Sequence, residues 1–236
     1  MKAFYEDSPI KTKTEDKYGR NRLVENIAKV IESKTKAKHS SFTIGLYGAW
    51  GEGKTSVLNL LKEKLDGIDN IYQCSFNPWM LSDQESIMQE FFIVLQHSSN
   101  IDKVPKLVDK IKRYGGLVSY VIKGLGYLLN CTLLPGASVV SGSIAKRLNE
   151  VRELLPDQKP LTEQKVEINA ALKNENAHII VYIDDLDRLD KDEVRMVFRL
   201  IRQVADFDNV IYVVAMDVDK IVNAISKGGG GGDNEE

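Results

Sequence analysis

The sequence predicts an α/β fold, a three-layer αβα sandwich around a mainly parallel sheet, on three observations. His178–Ile183 and Val210–Met216 are near-continuous β-branched and apolar runs, as expected of strands buried on both faces. Helix-like and strand-like stretches alternate along the chain, the pattern that parallel strands with crossover helices produce. Gly48-Ala49-Trp50-Gly51-Glu52-Gly53-Lys54-Thr55 lies between a strand-like run and an amphipathic one, a glycine-rich loop that opens a helix.

The elements follow in order. Residues 1–17 read as a polar lead-in. Leu23, Val24, Ile27, Val30 and Ile31 have helical spacing. Lys34–Lys38 is a solvated loop. Phe42–Tyr47 is the first strand, and the helix after the glycine-rich loop reaches about Leu65. Asp66–Asn70 is a turn cluster. Ile71–Phe76 alternates as a second strand, which Asn77-Pro78 stops. Gln84–Gln96 is a helix with Ile87, Phe91, Val94 and Leu95 on one side. Lys103–Arg113 is a basic amphipathic helix, and Gly115–Ala145 is apolar and glycine-rich. Leu148–Leu155 and Glu163–Leu172 are helical, separated by Pro156 and Pro160. Lys191–Val204 is a helix between the two buried strands, and Asp219–Ile225 a short one after them. Residues 227–236 form a glycine-rich acidic tail. The domain expected is therefore 1–226, with the tail apart.

The bulk properties set limits. A chain of 236 residues suffices for one α/β domain, and its net charge of −2 supplies no bulk attraction for nucleic acid. Cys74 and Cys131 are far apart, which suits a reducing cytosol better than a disulfide framework. His39, His97 and His178 have no metal-ligand spacing. The polar, acidic N-terminus is unlike a secretory signal.

Gly-x4-Gly-Lys-Thr between strand and helix is a phosphate cradle. Glycines allow backbone N–H groups to turn toward an anion, and the helix adds its N-terminal partial positive charge. Gly48 through Ser56 are the candidate nucleotide-binding residues: Gly48, Ala49, Trp50, Gly51, Glu52, Gly53, Lys54, Thr55 and Ser56. Lys54 is expected on the β- and γ-phosphates and Thr55 on Mg²⁺, so ATP and Mg²⁺ are the expected cofactors.

Asp184 and Asp185 end a buried strand. A carboxylate there needs a partner, and Mg²⁺ on a nucleotide is a natural one. Asp184 is the Walker-B candidate, holding metal through water, and Asp185 the candidate to polarise the attacking water. The structural alternative is a pair of solvated loop acids or helix caps. Arg188 is a candidate for transition-state charge, or else it pairs with Asp185 or Asp187 and braces the loop. Asp217, at the end of the other buried strand, either senses the γ-phosphate or caps the helix that follows.

These residues together resemble the KAP family of P-loop NTPases. The resemblance rests on Asp16-Lys17-Tyr18-Gly19-Arg20, on Ile44 through Ser56, and on Phe76-Asn77-Pro78-Trp79. Ile183-Asp184-Asp185-Leu186-Asp187-Arg188 and Val213-Val214-Ala215-Met216-Asp217 complete it, over about residues 15–225. It implies an ATPase of the ASCE type with strand order 5-1-4-3-2, Lys54 and Thr55 on phosphate and Mg²⁺, Asp184 on Mg²⁺, and Asp185 as the water-activating acid. It implies that Tyr18-Gly19-Arg20 packs near adenine, whereas Trp79 reads as a core residue. Family members commonly carry transmembrane helices between the P-loop and the Walker-B strand. Residues 114–146 are the candidate insert here: Leu117–Leu129 and Cys131–Ala145 are apolar, with Lys110, Lys112, Arg113, Lys146 and Arg147 outside them. Each is shorter than the roughly 20 residues of a spanning helix, so a membrane hairpin and a buried helical pair both fit.

The ASCE order also calls for one further strand beside the P-loop strand and then a helical lid. The expectation is a truncated frame or fragment with an open first-strand edge. Two functions follow: an ATP-hydrolysing switch or motor in bacterial phage defence or membrane-associated signalling, or a nucleotide-binding interaction module without turnover. A homo-oligomer and a downstream domain or protein are the expected partners, and the location is cytoplasmic, including the inner membrane face. A small-molecule kinase, a GTPase and an ABC ATPase are disfavoured by the absence of an acceptor arginine motif, of Asn-Lys-x-Asp and of Leu-Ser-Gly-Gly.

Overall fold

Strands β1 (Phe42–Tyr47), β2 (Ile71–Phe76), β3 (His178–Ile183) and β4 (Val210–Met216) form one parallel sheet in the order β1-β4-β3-β2. The computed structural model describes residues 8–36, 41–81, 83–132 and 159–226. Every residue of β3 and β4 is buried, as their β-branched runs require. Register follows from pairing Ile44 with Val213, Val181 with Tyr212 and Cys74 with Val181.

Side chains alternate across a strand, and this sorts the helices into layers. Ile180, Tyr182, Ile211, Val213 and Ala215 face α1 (Asn21–Lys36) and α2 (Lys54–Leu65). Ile179, Val181, Ile183, Val210, Tyr212 and Val214 face a larger core built with α3 (Gln84–Gln96), α4 (Pro105–Thr132), α5 (Leu161–Asn174) and α6 (Lys191–Arg199). The predicted αβα sandwich is what forms. The four described strands keep the expected relative order 1-4-3-2. Among the described residues β1 pairs with β4 alone, and its side chains are correspondingly more exposed.

Two expectations are corrected. The basic helix was expected to end near Arg113, but α4 runs unbroken through Gly115 and Gly116 to Thr132. A Cβ on Gly115 would lie 2.6 Å from Phe92 Cβ, so this glycine permits close approach of α3 and α4 rather than ending a helix. Tyr114 and Val118, at the start of the candidate membrane insert, are buried in the core. Among the described residues no helix is long and apolar enough to cross a membrane. The second apolar stretch from residue 133, the helix expected over Leu148–Leu155 and the tail 227–236 lie outside the described residues. The other correction concerns the helix from Lys191. After Arg199 it widens into a π-type turn over Leu200–Val204, closed by Ala205 N–H to Leu200 C=O at 2.8 Å. The carbonyls left at this helix end are taken by hydroxyls: Tyr114 donates to Val204 O at 2.8 Å and Tyr212 to Ala205 O at 2.5 Å.

Cys74 lies in β2 inside this core, and burial pushes its thiol up to about 12. At pH 8 the folded protein should therefore hold on the order of one thiolate in ten thousand at this site. In a Cys131→Ser variant, iodoacetamide is expected to leave Cys74 unmodified in buffer and to alkylate it in urea, as read by mass spectrometry.

Candidate nucleotide-binding site

The strand order brings four separated segments to the carboxyl end of the sheet, where ligands of open α/β sheets bind. They are the loop after β1, the Asn77 turn after β2, the acidic loop after β3, and the start of α7 (Val218–Ser226) after β4.

The loop after β1 is held at several points. Gly48 N–H donates to Met216 O at 3.3 Å. Glu52 N–H donates to Ala49 O at 3.3 Å and Ala49 N–H to Glu52 Oε2 at 2.9 Å, closing a small ring within the loop. Gly53 caps α2 at φ +82°, a left-handed conformation that a side chain would strain. A Cβ there would also meet Arg20 Nη2 at 2.4 Å, because Arg20 reaches over to donate to Glu52 O at 3.2 Å. Lys54 Nζ lies along the loop, donating to Gly48 O at 2.9 Å and Ala49 O at 3.1 Å. The Ser56 hydroxyl accepts from Ile10 N–H at 3.3 Å, on the side of the N-terminal lead-in.

Thr55 Oγ1 donates to Asp184 Oδ2 at 2.7 Å. This bond joins the first turn of α2 to the end of β3 and sets a hydroxyl beside a carboxylate at a helix N-terminus. The other oxygen of Asp184 accepts Asp185 N–H at 2.9 Å, which turns Asp185 away. Asp185 takes φ +59°, a conformation that Asp and Asn tolerate better than most residues. Its carboxylate then accepts from Asn77 Nδ2 at 2.8 Å on Oδ2 and from Arg188 Nε at 2.8 Å on Oδ1. The two acids predicted as a pair are adjacent in sequence and differ in partners: Asp184 faces the P-loop helix and Asp185 faces the β2 turn.

Asn77 has a second role, since its Oδ1 accepts Trp79 N–H at 3.2 Å and caps the turn Pro78–Met80. Trp79 was expected in the core. It is 50% exposed, and its ring lies against Arg188, with the guanidinium carbon 4.7 Å from the ring centre. Arg188 is therefore in the bracing position of the two foreseen, bonded to Asp185. Asp217 likewise occupies its capping position: its Oδ1 accepts Lys220 N–H at 3.3 Å in the first turn of α7. Lys220 Nζ lies 3.4 Å from Asp187 Oδ2 and 4.9 Å from the Trp50 ring centre.

Two site residues escaped the sequence. Arg20 was visible as part of Asp16-Lys17-Tyr18-Gly19-Arg20, yet its contact with the P-loop was not. It stacks on Tyr18 at 4.8 Å, while Asp16 accepts Asn21 N–H at 2.9 Å and holds the start of α1. Lys220 gave no signal, being one lysine on a short helix.

The KAP family P-loop domain model matches residues 20–236. Among curated proteins the chain is similar to the phage T7 exclusion protein of Escherichia coli strain K12, at 30% identity over 93% of this chain. The chain spans 31% of that relative's length. Among solved structures it is similar to the Aeropyrum pernix ORC2 protein in ADPNP–ADP complexes, at 11% identity and TM-score 0.42, covering 89% of this chain and 45% of that one. It is also similar to Drosophila ORC bound to GC-rich DNA and Cdc6, at 9% identity and TM-score 0.45, covering 88% and 27%. A nucleotide-binding P-loop module is what the family match supports, and on the extent of that match the chain belongs to the KAP family of P-loop NTPases.

Proposed function

We propose that this chain is an ATP-hydrolysing switch module, residues 1–226, that uses Mg²⁺ and changes contacts between loops as its nucleotide changes. The observation that carries the reading is the bond of 2.7 Å from Thr55 Oγ1 to Asp184 Oδ2. A hydroxyl and a carboxylate converge there at the N-terminus of α2. This donor set fits Mg²⁺, which takes few protein oxygens and completes its shell with phosphate and water. Bound there, the metal would neutralise phosphate charge.

This chain's own residues do the rest in our reading. Backbone N–H groups of Gly48–Thr55 receive phosphate oxygens, and Lys54 turns its ammonium from the loop carbonyls to the β- and γ-phosphates. Asp184 and Thr55 hold the metal. Asp185, oriented by Asn77, accepts a proton from the attacking water. Arg188 and Asp217 meet the γ-phosphate side. The relative's name assigns it to exclusion of phage T7, and on that similarity we place this chain in bacterial phage defence.

The experiment is a pair of measurements on the purified protein: ATP binding by calorimetry and phosphate release with Mg²⁺. Lys54→Ala is expected to weaken binding at least about tenfold and to lower release to background. Release unaffected by Lys54→Ala would overturn the reading. A second reading, nucleotide binding without turnover, is favoured by one observation: Asp185 is occupied by the Arg188 ion pair at 2.8 Å. Binding without release in the wild type would select it.

A further inference from the structure

Trp50 and Trp79 are the two tryptophans of the chain, and both lie against one guanidinium. The Arg188 guanidinium carbon is 4.8 Å from the Trp50 ring centre and 4.7 Å from that of Trp79, inside the range of cation–π attraction. Trp50 comes from the P-loop, Trp79 from the turn after β2, and Arg188 from the loop after β3. Both indoles are more exposed than core residues, 61% and 50%, so burial does not account for their placement. Their shared contact is the arginine.

The same arginine gives its Nε to Asp185. That bond makes no demand on the two Nη groups, which are the donors a phosphate takes in a bidentate grip. Asn77 links the arrangement from the far side, bonding Asp185 through Nδ2 and holding the Trp79 turn through Oδ1. Trp50 in turn belongs to the cradle whose backbone must receive phosphate. Trp50 thus stands in the loop expected to take phosphate and also forms one wall of the arginine's slot.

Resting on the nucleotide reading above, we propose that Trp50 and Trp79 are positioning residues. They hold Arg188 on Asp185 while the P-loop is empty and release it when a γ-phosphate fills the loop. Release frees Asp185 for water and turns the Nη groups toward phosphate. The two indoles thus set when the carboxylate is available, and neither touches the reacting atoms.

A Trp79→Phe protein leaves Trp50 as the sole indole and keeps an aromatic face on Arg188. Adding Mg²⁺ with a non-hydrolysable ATP analogue is expected to change Trp50 emission more than Mg²⁺ with ADP does. Arg188→Gln in that background should remove most of the difference, with analogue binding by calorimetry kept within about tenfold. In steady state, Trp79→Leu is expected to raise kcat about tenfold with KM within about twofold, because Arg188 is held on Asp185 less firmly, while Trp79→Phe keeps kcat within about threefold of wild type. Binding with an emission response indifferent to Arg188→Gln would overturn the inference alone, even in a protein without turnover. Equal kcat for Trp79→Leu and Trp79→Phe would do the same. No analogue binding to the wild type would overturn the nucleotide reading and the inference with it.

Discussion

Asp185→Asn is expected to lower steady-state phosphate release by about a hundredfold or more, the usual scale for removing a general base, and to leave ATP binding intact. The substitution isolates charge from shape. Asp185 sits at φ +59°, where Asn is among the few residues that settle without strain, so the backbone should hold. The amide keeps one oxygen for Asn77 Nδ2 or Arg188 Nε, which now donate at 2.8 Å each to a carboxylate. What the variant loses is the negative charge and the ability to take a proton. Asp185→Ala would not separate these effects, because alanine at positive φ adds backbone strain. A single-turnover measurement of phosphate release beside calorimetric binding checks the split. Equal release from wild type and Asp185→Asn would remove Asp185 from the proposed chemistry.

Phe91→Ala should cost about 3–5 kcal/mol of stability, measured by urea denaturation. Phe91 is fully buried on α3, at the centre of an aromatic cluster. Its ring meets Phe76 and Phe92 edge-on at 5.4 Å each and lies roughly parallel to Tyr212 at 6.5 Å. Removing it leaves a void between α3 and the sheet, lined by rings from β2, α3 and β4, and the buried strands cannot collapse to fill it. Phe91→Leu keeps most of the volume and is expected to cost less than half as much. A Phe91→Ala loss below about 1 kcal/mol would show that this cluster is not a core of the fold.

The parts of the structure written in local pattern were legible. β3 and β4 announce themselves because a strand buried on both faces has no polar side to interrupt its run. Gly48–Thr55 announces itself because its glycines and lysine answer to one ligand chemistry. The legibility ends where a residue's neighbour comes from far along the chain. Gly115 reads as a break when only its helix propensity is weighed, but its role is set by Phe92 on another helix. Trp79 reads as an apolar core residue, but its partner is a charged group 109 positions later. The two acids read as separate candidates, one for metal and one for water, but the partners that set them apart, Thr55 for Asp184 and Asn77 and Arg188 for Asp185, are not visible in their spacing. The π-type turn over Leu200–Val204 depends on tyrosine hydroxyls from α4 and β4 that no spacing rule connects.

The sheet's ladder does not stop where β1 does. Gly48 N–H donates to Met216 O, one rung beyond the Tyr47–Met216 pair. Mechanically, the P-loop therefore starts as a bracket clamped to β4, an interior strand buried along its whole length, and ends as the first turn of α2, anchored by Thr55. Only Ala49 through Gly53 remains as a short spring between two rigid mounts. Under the proposed function, a phosphate bound there would act on the rest of the protein sideways, through the side chains that rest against that spring.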